Sequence, residues 1–208
     1  MFDNIRADLK AYQGKWWEQG YWVMLVYRFG RWRYGVRPVL LRKVFSLFYK
    51  IAYKLIQVIT GIDLPCEAEV GRNFVIDHFG GIIVSGYAKF GDNCRIRNGV
   101  SVGLRRVEAP CAPVIGNNVD IGAGAKLLGA ITIGDNVLIG ANAVVVTDVP
   151  SDCIAIGVPA TIKRRHPEEQ PARRSGEPAP TFTRHAAEDI AFARQGLVET
   201  GTPKFPPH

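Results

Sequence analysis

His78 is the one histidine in residues 62–162 of this 208-residue chain; His166, His185 and His208 lie beyond that stretch. An imidazole titrates near neutrality, so it can take the proton from a hydroxyl whose oxygen attacks a carbonyl carbon. Asp77 sits beside it, and a carboxylate in that place orients such a ring and steadies the imidazolium. A lone histidine is also a common structural residue. His78 stands out because it falls in the run IDHFGGII at 76–83, which breaks an otherwise regular pattern. Cys66, Cys94, Cys111 and Cys153 lie far apart without a C-x-x-C pair. They give neither zinc-site spacing nor a disulfide framework, so free thiols in a reducing cytoplasm are expected, and no metal. Cys111 has no histidine near it in sequence, which argues against a nucleophilic role.

The pattern that His78 interrupts has a period of six. Val84, Phe90, Ile96 and Val102 are six apart, and Ile115, Ile121, Leu127, Ile133, Ile139 and Val145 resume the beat after a gap. Glycine often follows the aliphatic, as at Gly91, Gly116, Gly122, Gly134 and Gly140. Four residues after it comes another small or apolar residue, such as Val119, Ala125, Val137 or Ala143. A short strand that points one aliphatic inward and then turns tightly would produce this beat. Stacked turns pair such strands in parallel and line the aliphatics into core ladders. The period is too short for repeats built from helices. Two interruptions stand out: 76–83, two residues longer than a normal step, and GLRRVEAPCAPV at 103–114, a loop extruded between turns. Breaks in a regular solenoid are where function concentrates.

These residues resemble the hexapeptide-repeat acyltransferases, in particular the branch of serine acetyltransferases and their sugar-modifying relatives. Asp77-His78 followed by Gly81-Ile82-Ile83-Val84 is similar to their Asp-His-x-x-Gly-Ile-Val segment; Ile121-Gly-Ala-Gly-Ala-Lys-Leu-Leu-Gly129 and Gly157-Val-Pro-Ala160 match two further signatures. The resemblance implies a mainly β, left-handed parallel β-helix, a homotrimer with sites between subunits, and acetyl-CoA as co-substrate. It assigns His78 as catalytic base, Asp63 as the aspartate that hydrogen-bonds it, and Asp77 as the group that positions the acceptor or the histidine. It places Gly103, Ala123 and Ala141 along the pantetheine arm. Lys163, Arg164 and Arg165 follow the last turn and would meet the nucleotide phosphates, or else begin a solvated basic tail. A carbonic anhydrase of the γ type shares the coil but needs several histidines.

Around the coil segment, residues 1–61 read as a helical region. Trp16, Trp17, Tyr21, Trp22, Leu25, Val26 and Phe29 form a bulky apolar stripe at helical spacing. A second helix follows Pro38 and closes at Gly61. Its Lys43, Lys50 and Lys54 share one face and most of the remaining circumference is apolar. Burial against the next domain or a partner subunit is the expected use of that surface. The alternative is a peripheral membrane contact through residues 38–60. Residues 163–208 turn proline-rich and charged, which predicts a disordered basic tail with at most a short helix at 184–196.

Net charge +7 with 47% hydrophobic residues fits a folded protein with anionic partners, and no nucleic-acid motif appears. The N-terminus carries acids and no apolar core, so no signal peptide is read there; a cytoplasmic protein, at the inner face of the membrane if the helix docks there, is expected. In place of the Arg-His pair with which serine acetyltransferases hold the amino acid, this loop carries Cys111 and Ala112, leaving Arg105 or Arg106 to substitute. On that difference, and on the basic apolar helix that would lie near a membrane-bound substrate, the expected activity is O-acetylation of a sugar or polysaccharide precursor. Serine acetylation in cysteine biosynthesis and a non-catalytic trimeric scaffold are the alternatives.

Overall fold

The computed structural model describes residues 2–105 and 111–165. Expectations that concern Arg106, residues 166–208 and the short helix at 184–196 lie outside the described residues.

From residue 62 onward the backbone winds as a three-sided parallel solenoid. The first turn comprises β1 (Ile62–Asp63), β2 (Glu69–Val70) and β3 (Val75–Asp77). The second holds β4 (Ile82–Val84), β5 (Lys89–Phe90) and β6 (Arg95–Arg97). The third holds β7 (Ser101–Gly103), β8 (Val114–Ile115) and β9 (Asp120–Ile121), and the fourth β10 (Lys126–Leu128), β11 (Thr132–Ile133) and β12 (Leu138–Ile139). After β13 (Val144–Val145) and an isolated bridge from Val149 to Ile133, β14 (Cys153–Ile156) closes the stack. From β4 to β13 each strand pairs with the third one before it, and β14 pairs with β12, so the first face is β1-β4-β7-β10-β13, the second β2-β5-β8-β11 and the third β3-β6-β9-β12-β14. A final strand, β15 (Thr161–Arg164), turns back antiparallel on β14 and extends the third face.

The six-residue beat marks the inward positions. All ten of its aliphatic and aromatic residues are buried, as are Val119, Ala125, Val137 and Ala143. Register carries the two interruptions. Val84 lies opposite Val102 and Leu127 opposite Val145, eighteen residues on, but Ile62 lies opposite Ile82, twenty on. The two extra residues belong to the 76–83 break. Ser101 pairs with Lys126, so the 103–114 loop adds seven.

Two side-chain ladders staple the corner between the second and third faces. Asn73, Asn93, Asn118, Asn136 and Asp152 all adopt positive φ, a left-handed conformation that asparagine and aspartate tolerate. Their amides hydrogen-bond successively along the axis, Asn73 to Asn93 at 2.8 Å, then Asn118, Asn136 and Asp152 at 3.0–3.1 Å. Just before them, the side chains of Asp92, Asn117 and Asp135 and the Ser151 hydroxyl accept from the backbone N–H of the preceding turn. A Cβ on Gly116 would come within 2.4 Å of the Asp135 carboxylate, which is why glycine follows the aliphatic there.

Three helices precede the solenoid: α1 (Phe2–Ala11), α2 (Gln19–Trp32) and α3 (Val39–Thr60). A first turn lacks a preceding turn to satisfy its backbone, and the helices supply the partners. The Tyr27 hydroxyl donates to the Ala68 carbonyl at 2.7 Å and accepts from Val70 N–H at 3.0 Å. Tyr12 serves Ile76 N–H at 2.8 Å, Tyr49 serves Cys66 N–H at 3.1 Å, and Arg28 donates to the carbonyls of Val70 and Gly71. Arg28 is itself held by Asp8 at 2.8 Å, both side chains buried. Burial pushes the Asp8 carboxyl up, with Arg28 pulling against it.

Two expectations for this region change. Trp16 and Trp17 precede α2 and are exposed, so the apolar stripe is shorter than its spacing suggested. As expected, α3 starts after Pro38 and ends at Gly61, whose left-handed φ of 66° caps it. Of the two expected partners for α3, the next domain does not bury it, since only Tyr49 and Thr60 are buried along it. It meets the rest of the chain along one edge, through contacts such as Phe29–Phe45 and Tyr53–Asp63. Its remaining circumference faces outward. No helix among the described residues is long and apolar enough to cross a membrane.

Candidate active site

His78 lies at the corner where the third face gives way to the first, between β3 and β4. Its side chain is exposed and its φ is +64°. The other non-glycine residues with positive φ are Asn, Asp and one Gln, so a histidine is the exception. The regular left-handed step of this corner is taken by Gly81 and, in the later turns, by Gly99, Gly124 and Asn142, so His78 is an additional one. A residue held in an uncommon conformation at a break in a regular scaffold is a mark of function.

The same corner carries Ala123 and Ala141. Backbone hydrogen bonds run down it from Gly99 N–H to Gly80, Gly124 N–H to Asn98, and Asn142 N–H to Ala123, each 2.8–2.9 Å. His78, Asn98, Ala123 and Ala141 therefore follow one another along one edge of the solenoid, with the two small side chains beyond Asn98. Gly103 does not join them. It ends β7, on the opposite edge of the first face, where the 103–114 loop departs. A Cβ there would meet only the Ser85 Cβ, at 3.8 Å, so the chain's own packing does not demand a glycine. Arg105 lies on that same edge, exposed, its side chain against Gly129. Lys163 is exposed on β15, opposite Ile154.

The two carboxylates have partners that sequence reasoning missed. Asp63, on β1 of the first face, accepts a hydrogen bond from the Tyr53 hydroxyl of α3. Burial and the adjacent Asp63 carboxylate both push the Tyr53 phenol far up, so at neutral pH it is the donor. Among the described residues no hydrogen bond joins Asp63 to His78; such contacts often tighten only with substrate bound. Asp77 forms an ion pair with Arg95 and lies 4.0 Å from the Arg97 Nε, while Arg97 also pairs with Asp120. Two acids and two bases thus share the third face directly beneath His78. Neither Tyr53 nor the arginines carried a signal in sequence, since each pairing is set by stacking and not by local spacing.

Cys111 is exposed, and Cys66, Cys94 and Cys153 are buried. Among the described residues no three His, Cys, Asp or Glu side chains gather as a metal-binding group.

Residues 112–147 match the family model for the bacterial transferase hexapeptide of six repeats. A serine acetyltransferase of Synechococcus elongatus is 36% identical over 144 residues, 69% of this chain and 56% of that protein. Another, of Helicobacter pylori strain J99, is 44% identical over 117 residues, covering 54% of this chain and 68% of its own. The crystal structure of serine acetyltransferase from Neisseria gonorrhoeae superposes with a TM-score of 0.68 at 30% identity, covering 79% of this chain and 66% of that one. That from Brucella abortus strain S19 superposes with a TM-score of 0.67 at 27% identity. This chain thus spans little more than half of the Synechococcus protein and about two thirds of the others.

These comparisons overturn the expectation of a sugar or polysaccharide-precursor acceptor, because the relatives are named as serine acetyltransferases. The expectation rested on the 103–114 loop, and on the basic apolar helix as a neighbour of a membrane-bound substrate. Loops vary between relatives at little structural cost, whereas the turns on either side must keep register. Ala112 illustrates this: it is buried against the coils, beside an exposed Cys111, so its identity follows packing as much as chemistry.

Proposed function

This chain belongs to the serine acetyltransferase family, and on that footing we propose that it transfers the acetyl group of acetyl-CoA to the hydroxyl of L-serine. The observation that carries the reading is His78, an exposed imidazole held at a left-handed corner above the small residues Ala123 and Ala141.

In the proposed reaction neutral His78 accepts the serine hydroxyl proton as the oxygen attacks the thioester carbon. The C–S bond of the resulting tetrahedral intermediate then breaks. The imidazolium returns the proton to the departing thiolate, leaving O-acetylserine and CoA. A backbone N–H at a solenoid corner stabilises the oxyanion. Asp63, anchored by Tyr53, orients His78 and stabilises its charged form. Asp77 takes the serine ammonium, with its carboxylate positioned by Arg95. Arg105 stands in for the missing arginine as partner of the serine carboxylate. Gly103, Ala123 and Ala141 leave room for the pantetheine arm, and Lys163 meets nucleotide phosphate.

A trimer follows from the same reading. His78 with Ala123 and Ala141 occupies one edge of the first face, and Gly103 with Arg105 the other, so one chain alone holds two half-sites. Packing three chains side by side would join the half-sites of neighbours. It would also cover Phe79, next to His78, and Ile83 on β4, each 57% exposed.

The test is thiol release from acetyl-CoA with L-serine, run beside a His78→Ala control. Serine-dependent release that falls by about 10²–10⁴-fold in the control is expected. A folded wild-type trimer that releases no thiol with serine overturns the proposal.

A further inference from the structure

The helix α3 turns an unpartnered apolar stripe outward. Leu40, Val44, Leu47, Ile51, Leu55 and Val58 recur at three- and four-residue steps and are 53–78% exposed. Six such side chains between Leu40 and Val58, about 28 Å of helix, form a continuous strip of a kind that folded chains rarely leave to water. Lys43, Lys50 and Lys54 flank it along one margin, all exposed. Their aliphatic stems can lie along the strip while the ammonium groups reach past it.

Charge decides between occupants. From Gln19 to Ile62 the sequence holds eight cations, Arg28 to Lys54, and no Asp or Glu. A second copy of the same helix brings only further positive charge to that margin. An anionic surface supplies the complement. The helix is not apolar enough all round to cross a bilayer, which leaves the geometry of a helix lying in the interface plane, apolar strip toward the acyl chains and lysines at the headgroups. Exposed aromatic surface from Phe48 and Trp32 beside the helix suits the same boundary.

We propose that α3 docks this protein peripherally on a bilayer containing anionic phospholipid, through the Leu40–Val58 strip and the Lys43/Lys50/Lys54 margin. The inference is independent of the acetyl-transfer reading. It is tested by flotation of the full chain with vesicles of phosphatidylcholine alone, or of phosphatidylcholine with phosphatidylglycerol. The wild type should float with the anionic vesicles and release at high salt. Leu47→Glu with Val58→Glu should abolish flotation, and Lys43→Gln with Lys50→Gln and Lys54→Gln should weaken it about tenfold or more. Both variants alter exposed side chains, so unchanged helix content and an unchanged melting temperature verify that each is folded. Equal flotation with neutral and anionic vesicles overturns the anionic assignment. A wild type that floats with neither, and whose mass in solution drops on Leu47→Glu, makes the strip a contact between copies and overturns the proposal.

Discussion

A side chain in the left-handed region costs about 1–2 kcal/mol, a cost that asparagine reduces because its short amide hydrogen-bonds locally. At His78 that cost is retained in addition to the regular left-handed step of the corner, which Gly81 takes in this turn. His78→Asn is therefore expected to keep or raise the melting temperature while serine-dependent thiol release falls about 10²–10⁴-fold. Retained turnover in His78→Asn would remove the histidine from the proposed mechanism. Tyr53 is a positioning residue at the same scale. Its protonated phenol donates to Asp63, and a hydrogen bond to a charged group contributes about 1.5–3 kcal/mol. Tyr53→Phe should lower kcat roughly tenfold with little change in KM for acetyl-CoA. A change confined to KM would show that Tyr53 acts on binding and not on the Asp63–His78 geometry.

Helices and strands meet in this protein through hydroxyl groups. The first turn of any solenoid exposes an unpaired edge, and here Tyr12, Tyr27 and Tyr49 act as the missing backbone. Each ties a helix to a different part of that turn, so the helical region and the solenoid support one another. Removing the Tyr27 hydroxyl strands the Ala68 carbonyl and the Val70 N–H away from water. Leaving buried polar groups unsatisfied costs about 1–3 kcal/mol, and Tyr27→Phe should lower the melting temperature by roughly 2–12 °C at this chain size. Thermal unfolding followed by circular dichroism reads that shift. A variant that melts with the wild type would mean that water reaches both groups.

Across the whole molecule these phenols share one direction. Burial is the main cause of a raised phenol at Tyr12, Tyr27, Tyr34, Tyr49 and Tyr53, with Tyr34 pushed up to about 12. Below pH 10 the phenols are protonated in both states and the stability they confer is complete. As pH rises past the ordinary value, the unfolded chain loses protons that the folded one keeps, so stability declines through the folded values. The melting temperature should drop steeply from about pH 10 upward. A melting temperature level from about pH 9 to 12 would contradict the burial of these groups.

The solenoid was legible in the sequence because its period is local: a six-residue beat of aliphatic, glycine and small residue recurs whatever the turns pack against. The same regularity exposed its breaks, and so His78 and the 103–114 loop. The Pro38 start and Gly61 end of α3 were likewise local signals. What only the tertiary structure decided are the pairings between turns and between helix and turn. Tyr53 with Asp63, Asp77 with Arg95, and Tyr12 with Ile76 join residues 10, 18 and 64 positions apart and leave no periodic trace. The tertiary structure also decided that α3 turns its strip outward, since an apolar helical face reads the same in sequence whether a neighbouring element covers it or not.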